Sequence, residues 1–593
     1  MIHGSKRLVI GLLLVALAAC DGTSGDDVNG SGSSARSSSN SGSGTSSSSN
    51  GIASSDRTSS DRSEMSSGSS AMSTTDAARL LEQATFGPTP TEVARVAALG
   101  FQGYMQQQLV QTPSGYSGFS YVPHVAPTSC RYNLSAPTSA ASLCSRDKYS
   151  LFQVQRQFFQ NALTGSDQLR QRVAFALSEI FVVSGTDIFE AYGMAAYQNM
   201  LLQDAFGNFR QLLQDVTLSP VMGKYLNMAG NAKANPALGT SPDENYAREV
   251  MQLFSIGLYQ LNQDGSVQLD ANGVPIPTYD ENVIGGFAEL FTGWTYAPLP
   301  GASTSWDDPI NYQSPMVSFP SYHDSTAKLL LNGVTTPAGQ SPEADLKLGL
   351  DTIFNHPNVG PFIGKQLIQH LVTSNPSPGY IARVAAVFAN NGQGVRGDLG
   401  AVVQAILGDV EARGDAPSNP DAGHLREPAL FMTTVLRALG GQSDGVWLRS
   451  RIVAMGQPIF TAPTVFNFYP PGYELPGTNT LAPEFFIEDA TSALARTNFV
   501  DQLIFSGGSQ PDPTVNGSTG TSVNLSALAG SPPLAPDALV DKLNTVLMHG
   551  SLSSAAHGVI VTAIENASTS DTLAPVQTAA YLIAGSQQFQ IEH

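Results

Sequence analysis

The residues best placed to do chemistry cluster in SPDENYAREVMQLFSIG, Ser241 to Gly257, and in SYHDSTAK. In the first, Asn245, Arg248 and Glu249 are candidate catalytic groups: an amide, a cation and a carboxylate on one short helix. In the second, His323 and Asp324 are candidate metal ligands, an imidazole and a carboxylate side by side on a loop. Such a pair can hold a divalent cation when a further acid, Glu244 or Glu249, completes the shell. Together they would make a metal-assisted hydrolase. A simpler account stands beside it. Ser241, Pro242 and Glu244 have the spacing of a capping box, Glu244 and Arg248 lie four apart in the favourable order, and Asp324 is a turn residue. That account leaves Asn245 and Glu249 unexplained.

Other chemistry is thinly represented. The folded region has no Gly-x-Ser-x-Gly elbow, no His-Glu-x-x-His helix, no phosphate-cradling loop and no dinucleotide fingerprint. Asp264 and Asp270 lack the glutamate that a calcium loop needs at its twelfth position. His356 and His370 sit at a helix start and within an apolar helix, where a histidine serves as cap or core. Trp294 and Tyr296 could stack on sugar rings, but Val283, Phe287, Leu290, Phe291 and Trp294 fall at helical spacing, which favours the core.

The elements that must position these groups read as mainly α, a multi-helix globular body with small β-hairpin insertions behind a disordered Ser/Gly-rich tether. Thr89-Pro90-Thr91-Glu92 opens one helix, and Gly100 is expected to stop it. DQLRQRVAFALSEIFVVSG lines Leu169, Val173, Leu177, Ile180 and Phe181 along one face. Asp264-Gly265, Asn272-Gly273 and Asn332-Gly333 mark hairpin turns, placing insertions at about 259–278 and 316–336. A Gly, Ser and Pro-rich run at about 507–536 reads as a long flexible loop.

The N-terminus is a separate matter. Lys6 and Arg7 precede an apolar run from Leu8 to Ala16, then Leu17-Ala18-Ala19-Cys20, so residues 1–20 read as an export signal. That ending resembles the bacterial lipobox, in which Cys20 is lipidated and becomes the mature N-terminus. Residues 21–75 are mostly Ser, Gly, Asn, Asp and Thr, too polar to form a core. A coil of that length reaches roughly 40 Å. Residues 76–593 form the helical domain. Export favours pairing of Cys130 with Cys144, a closure that contributes roughly 3 kcal/mol in the chain-entropy model. Cleavage removes two cations and no acid, taking the net charge from −19 to −21. That surface repels phosphate backbones and excludes nucleic acid as a partner.

DENYAREVMQLFSIG is similar to the signature of a bacterial family, domain of unknown function 1800. In order, AARLLEQATFGPTPTEV, AFGNFRQLLQDVTLSPVMGKYL, AELFTGWTY, His323-Asp324, NHPNVGPFIGKQLIQHLV, HLREPALFM, APTVFNFYPPGY and AAYLIAGSQQFQIEH also resemble it. Gln252 stands where the family usually has an acid, and ALSEIFVVS replaces a Trp/His-rich stretch. The resemblance implies an exported, mostly helical protein with no established reaction. It also implies an exported sulfatase-like neighbour as a candidate partner. The preferred expectation is a lipid-anchored, extracytoplasmic scaffold or binding protein for an exported enzyme or an envelope polysaccharide, with the metal-assisted hydrolase as the alternative.

Overall fold

The computed structural model describes residues 71–414, 422–567 and 571–592. Cys20 and almost all of the proposed tether lie outside them. The expected boundary at 76 moves slightly, because Ser73 caps a helix that already runs Thr74–Ala84.

About half of the described residues are helical, and strand among them is confined to short antiparallel pairs. Thr89 accepts the Glu92 backbone N–H and Pro90 sits at the first helical position, as the sequence predicts. Gly100 does not stop that helix. It adopts φ 67° and kinks it, and the helix resumes to Leu109, because Met105 and Gln108 beyond the kink still find buried positions. Asp264-Gly265 and Asn272-Gly273 form their turns, with both glycines in the left-handed region. The resulting lobe pairs Gln260 with Ile276 and Gln268. Asn358 anchors it, accepting from the Leu261 backbone N–H and donating to the Ile256 and Tyr259 carbonyls.

The 507–536 run is more ordered than its composition predicts. Thr521–Ser522 pairs with Gln442–Ser443, and Leu525–Ala529 is helical. The reason is electrostatic: the buried Asp444 carboxylate accepts hydrogen bonds from the Ser518 hydroxyl and from the Thr519 and Gly520 backbone N–H groups. Cys130 and Cys144 form the expected disulfide.

Two helices lie at the centre. Every residue of Pro428–Ala438 is buried, as are twelve of the thirteen in Gln168–Ile180. The first packs against Phe152–Thr164 and Pro536–Met548, the second against Ala191–Asp204 and Val359–Leu371. Gly87 shows how close the packing is: a Cβ there would lie 2.5 Å from the Thr434 Cα.

The ends of the domain meet at this centre through buried charge. Arg426 forms an ion pair with Glu82 from the first helix and donates to the Phe589 and Ile591 carbonyls near the C-terminus. His549 bonds the other oxygen of Glu82 at 2.7 Å. The last strand, Ile591–Glu592, pairs with His424–Leu425. His424 Nδ1 stands 3.1 Å from Glu484, and its Nε2 stands 3.7 Å from Glu592, ion-pair rather than hydrogen-bond range. Burial opposes charging His424, yet Glu484 and Glu592 outweigh it and raise its pKa to about 10. Burial likewise opposes charging Glu592, but His424, Arg426 and Arg172 hold its pKa below the usual value.

Two predictions follow from this strap. Removing Glu592 leaves buried cations short of an anion, so Glu592→Ala should cost roughly 3–5 kcal/mol in urea unfolding. A loss under about 1 kcal/mol would show that the strap is not structural. The pH dependence has two limbs. His424, raised in the fold, supplies stability that is full below about 6.5 and lost as pH rises toward 10. Glu592, lowered in the fold, supplies stability that is lost as pH falls below about 4.5. The parent should therefore be most stable between these limits, and His424→Gln should flatten the alkaline limb.

Candidate functional site

Apart from Glu249, the sequence-derived candidates are held by structural contacts. The helix begins at Asn245 rather than Ser241, and Ser241 is exposed. No capping box forms. Instead the Asn245 N–H donates to Asp243 Oδ1, and the Asp243 backbone exchanges two hydrogen bonds with the Asn231 amide. Arg248 pairs with Glu244 as expected and also reaches Glu281 on the Glu281–Leu290 helix, both at 2.7 Å. Glu249 is half-buried, burial raises its pKa against the pull of Arg248, and its Oε2 has no partner.

His323 and Asp324 are similarly engaged. The His323 ring is buried between two acceptors, the Thr292 carbonyl 2.9 Å from Nδ1 and Asp345 Oδ2 3.1 Å from Nε2. Asp324 Oδ1 accepts from the backbone N–H and hydroxyl of Thr326, the turn role anticipated for it. Lys328, fully buried, pairs with Asp345 at 2.8 Å. Gly293, at φ 83°, lets the chain turn against His323, where a Cβ would lie 2.9 Å from the His323 backbone nitrogen. Among the described residues no group of three or more His, Cys, Asp or Glu is arranged to hold a metal ion. Glu249 and Glu244 do not complete a shell around His323 and Asp324. Trp294 is core, at 4% exposure, and His356 is a buried cap whose Nδ1 accepts the Asn358 N–H.

A different group of residues converges. A cleft of about 60 Å³ is lined by Glu179, Gln366, Gln369, His370, Asn467 and Tyr469 beneath an apolar rim that includes Phe466 and Phe362. Glu179 comes from the last turn of Gln168–Ile180, and His370 from the last turn of Val359–Leu371. Glu427 immediately precedes Pro428 at a helix start, so its side chain points back toward the same place. Asn467 and Tyr469 lie on an irregular segment. Asn467 takes φ 66°, a conformation that asparagine tolerates better than most residues.

Gln457 organises the carboxyls. Its Oε1 accepts the Ala429 N–H at 3.0 Å, which orients the amide. Its Nε2 then donates to Glu179 Oε1 at 3.2 Å and to Glu427 Oε2 at 2.5 Å. Asn467 donates a second bond to Glu179 Oε1 at 3.3 Å, and the Tyr469 hydroxyl donates to Glu427 Oε2 at 2.8 Å. Glu179 Oε2 is buried without a hydrogen bond, 3.3 Å from His370 Nδ1.

Burial and then the neighbouring Glu427 push the Glu179 pKa well above the usual carboxylate value, against Asn467 and Arg172, which lower it. Burial, Arg172 and His424 lower His370 to about 3. Both shifts favour the uncharged forms, a carboxylic acid facing an imidazole. Arg172, buried in the same helix as Glu179, donates to the His370 carbonyl and fixes the end of the opposing helix. An acid with one oxygen held by two amides and the other unpartnered beside an imidazole can give and take a proton.

None of Glu179, Glu427, Gln457, Asn467 or Tyr469 stands out by spacing. Their one signal is a charge in an otherwise apolar run, as in ALSEIFVVS and LREPALFM, where only a partnered or functional carboxylate is tolerated.

The raised Glu179 pKa has a stability consequence. Ionising it costs more in the fold than in the unfolded chain, so its contribution falls as pH rises above about 4.5. Glu179→Gln should lose less stability than the parent between pH 5 and pH 8 in urea midpoints. Identical slopes would mean that the carboxyl is not held neutral.

No curated protein and no solved structure matches the chain. A family model described as "Protein of unknown function (DUF1800)" matches residues 79–591, which takes in every residue of the cleft. The chain therefore belongs to the DUF1800 family.

Proposed function

We propose that this is an extracytoplasmic protein, tethered by a lipidated Cys20 through the Ser/Gly-rich stretch, whose cleft carries out general acid–base hydrolysis on a polar bond of an exported polymer. The observation that carries the catalytic reading is the meeting of Glu179 and Glu427 with Glu179 Oε2 unpartnered beside His370. The leader and the polar stretch after it support the location.

In this reading Glu179 donates its proton to the leaving oxygen as water attacks. The departing proton leaves Glu179 anionic 3.3 Å from His370. That new charge favours an imidazolium, so His370 becomes a base at the moment the attacking water must lose a proton. The water's oxygen joins the electrophilic centre, its proton passes to His370, and His370 returns it to Glu179. One water is consumed and both side chains are restored. Gln457 and Asn467 hold Glu179 Oε1, so the carboxylate has partners in both protonation states. Phe466, exposed at the rim, supplies an apolar surface for the substrate to rest on.

A second reading is non-catalytic: the body is presented to an exported enzyme, such as a sulfatase-like protein, or to an envelope polysaccharide. The exposed Leu258, Tyr259, Val267, Leu269 and Val274 on the hairpin lobe favour it.

Two measurements test these readings. Labelled fatty acid should enter the parent protein and not Cys20→Ala, which should leave the membrane fraction. Hydrolysis of envelope polymers, followed as release of reducing ends or free amines, should fall roughly 10²–10⁴-fold in Glu179→Gln. The parent rate should fall as rising pH deprotonates Glu179. Hydrolysis that survives in Glu179→Gln would exclude the acid–base reading, and co-purification of an envelope protein with both variants would support the scaffold.

A further inference from the structure

A second cleft, of about 310 Å³, lies on the outer face of the Phe152–Thr164 helix. Its floor is a stripe of glutamines. Gln153, Gln157 and Gln160 are spaced four and three apart, which places them on one side of the helix. Gln155 points the other way and donates to the Ile459 carbonyl at 2.7 Å.

The walls are preformed. One is the loop bearing Phe119, which is held at its base. The Ser114 N–H donates to Asp167 and the Ser114 carbonyl accepts from Asn161, at 2.9 and 2.8 Å. Tyr116 exchanges two backbone bonds with the Asn199 amide, at 2.7 and 2.8 Å. The other wall is the end of the Ala140–Lys148 helix, tied to the preceding segment by the Cys130–Cys144 disulfide. Little ordering remains for a ligand to impose.

The functional groups inside select a class of ligand. Gln157 uses its Nε2 on Asn161 at 2.9 Å and keeps its carbonyl oxygen free, and the Gln160 amide has no protein partner among the described residues. These offer both donors and acceptors without charge. Asp147, the one carboxylate lining the cleft, is already bound to Arg146 and Gln153, at 2.7 and 2.9 Å. A cation therefore finds no available anion. A phosphate would find Lys148 and the buried Arg156, two of whose three nitrogens are committed to the Asp444 carbonyl and to Gln153. Hydroxyl groups, which donate and accept at once, match amides better than a lone cation or anion does, and the part-exposed Phe119 ring adds flat apolar surface. The volume lies at the small end of the usual ligand-pocket range of about 300–1,000 Å³.

We propose that this cleft is a glycan-binding groove that takes one or two sugar units of a neutral, hydroxyl-rich chain. The groove binds whether or not Glu179 catalyses, so it stands independently of the acid–base reading.

The test is calorimetric titration of the full chain, in a detergent without a sugar headgroup, with cellotetraose, N-acetylchitotetraose and inorganic polyphosphate. At least one oligosaccharide should bind saturably. The double substitution Gln157→Ala with Gln160→Ala, both partly solvent-facing, should weaken that binding at least 10-fold while its thermal melt stays within about a degree of the parent. Glu179→Gln should bind as the parent does, which separates this groove from the catalytic cleft. The proposal is overturned if neither oligosaccharide binds, if the double variant binds equally well, or if polyphosphate is the only ligand.

Discussion

A charge taken out of water must be met by an opposite charge or a full set of hydrogen bonds, at a cost of several kcal/mol when it is not. Much of this structure follows from that requirement. Arg426, at 1% exposure, is satisfied only if Glu82 arrives from one end of the domain and the carbonyls near the C-terminus arrive from the other. Arg496 then donates to the Arg426 carbonyl and to Gln590, and pairs with Glu488. His424 brings in Glu484 and Glu592. Residues more than three hundred positions apart are thus fixed to one centre. Apolar burial drives the helices together, but it is nearly indifferent to which helix meets which. The ion pairs are specific, each requiring its own partner at close range.

The same requirement is only partly met at the cleft. Gln457 and Asn467 satisfy Glu179 Oε1, while Oε2 is left buried beside His370 without a hydrogen bond. Glu592, by contrast, sits against His424 and Arg426, which hold its pKa below the usual value. At the cleft two glutamates share one amide donor, and the Glu179 pKa is pushed up. A buried carboxylate left incompletely satisfied beside an imidazole is where a function is looked for. The adjoining backbone fits that view, with Asn467 held in the left-handed region so that its amide reaches Glu179.

Local rules carried the sequence reading a long way. Thr89 caps its helix, Asp324 makes its turn, Glu244 meets Arg248, and the three Asx-Gly pairs bend the chain, because each needs only neighbours within four residues. The errors share a cause. Ser241 has the right spacing for a cap, but the Asn231 amide takes the Asp243 backbone and delays the helix to Asn245. Gly100 reads as a terminator, yet the core beyond it keeps the helix going. Asp444 lends structure to a segment whose composition says loop. In each case a distant residue outweighs a local preference.

The sequence alone determined the helical class, the positions of most turns, the cysteine pairing and the family, since periodicity, turn chemistry, redox context and ordered motifs are written along the chain. Only the tertiary structure decided which charges meet. Glu249 and His323-Asp324 are conspicuous in sequence but end in hydrogen bonds, partial burial or a turn. Glu179 and Glu427 are inconspicuous, 248 residues apart, and meet in the core. The physical reason is that a side chain's proton affinity is set by what surrounds it in space, and the fold brings those neighbours from segments that share no local pattern.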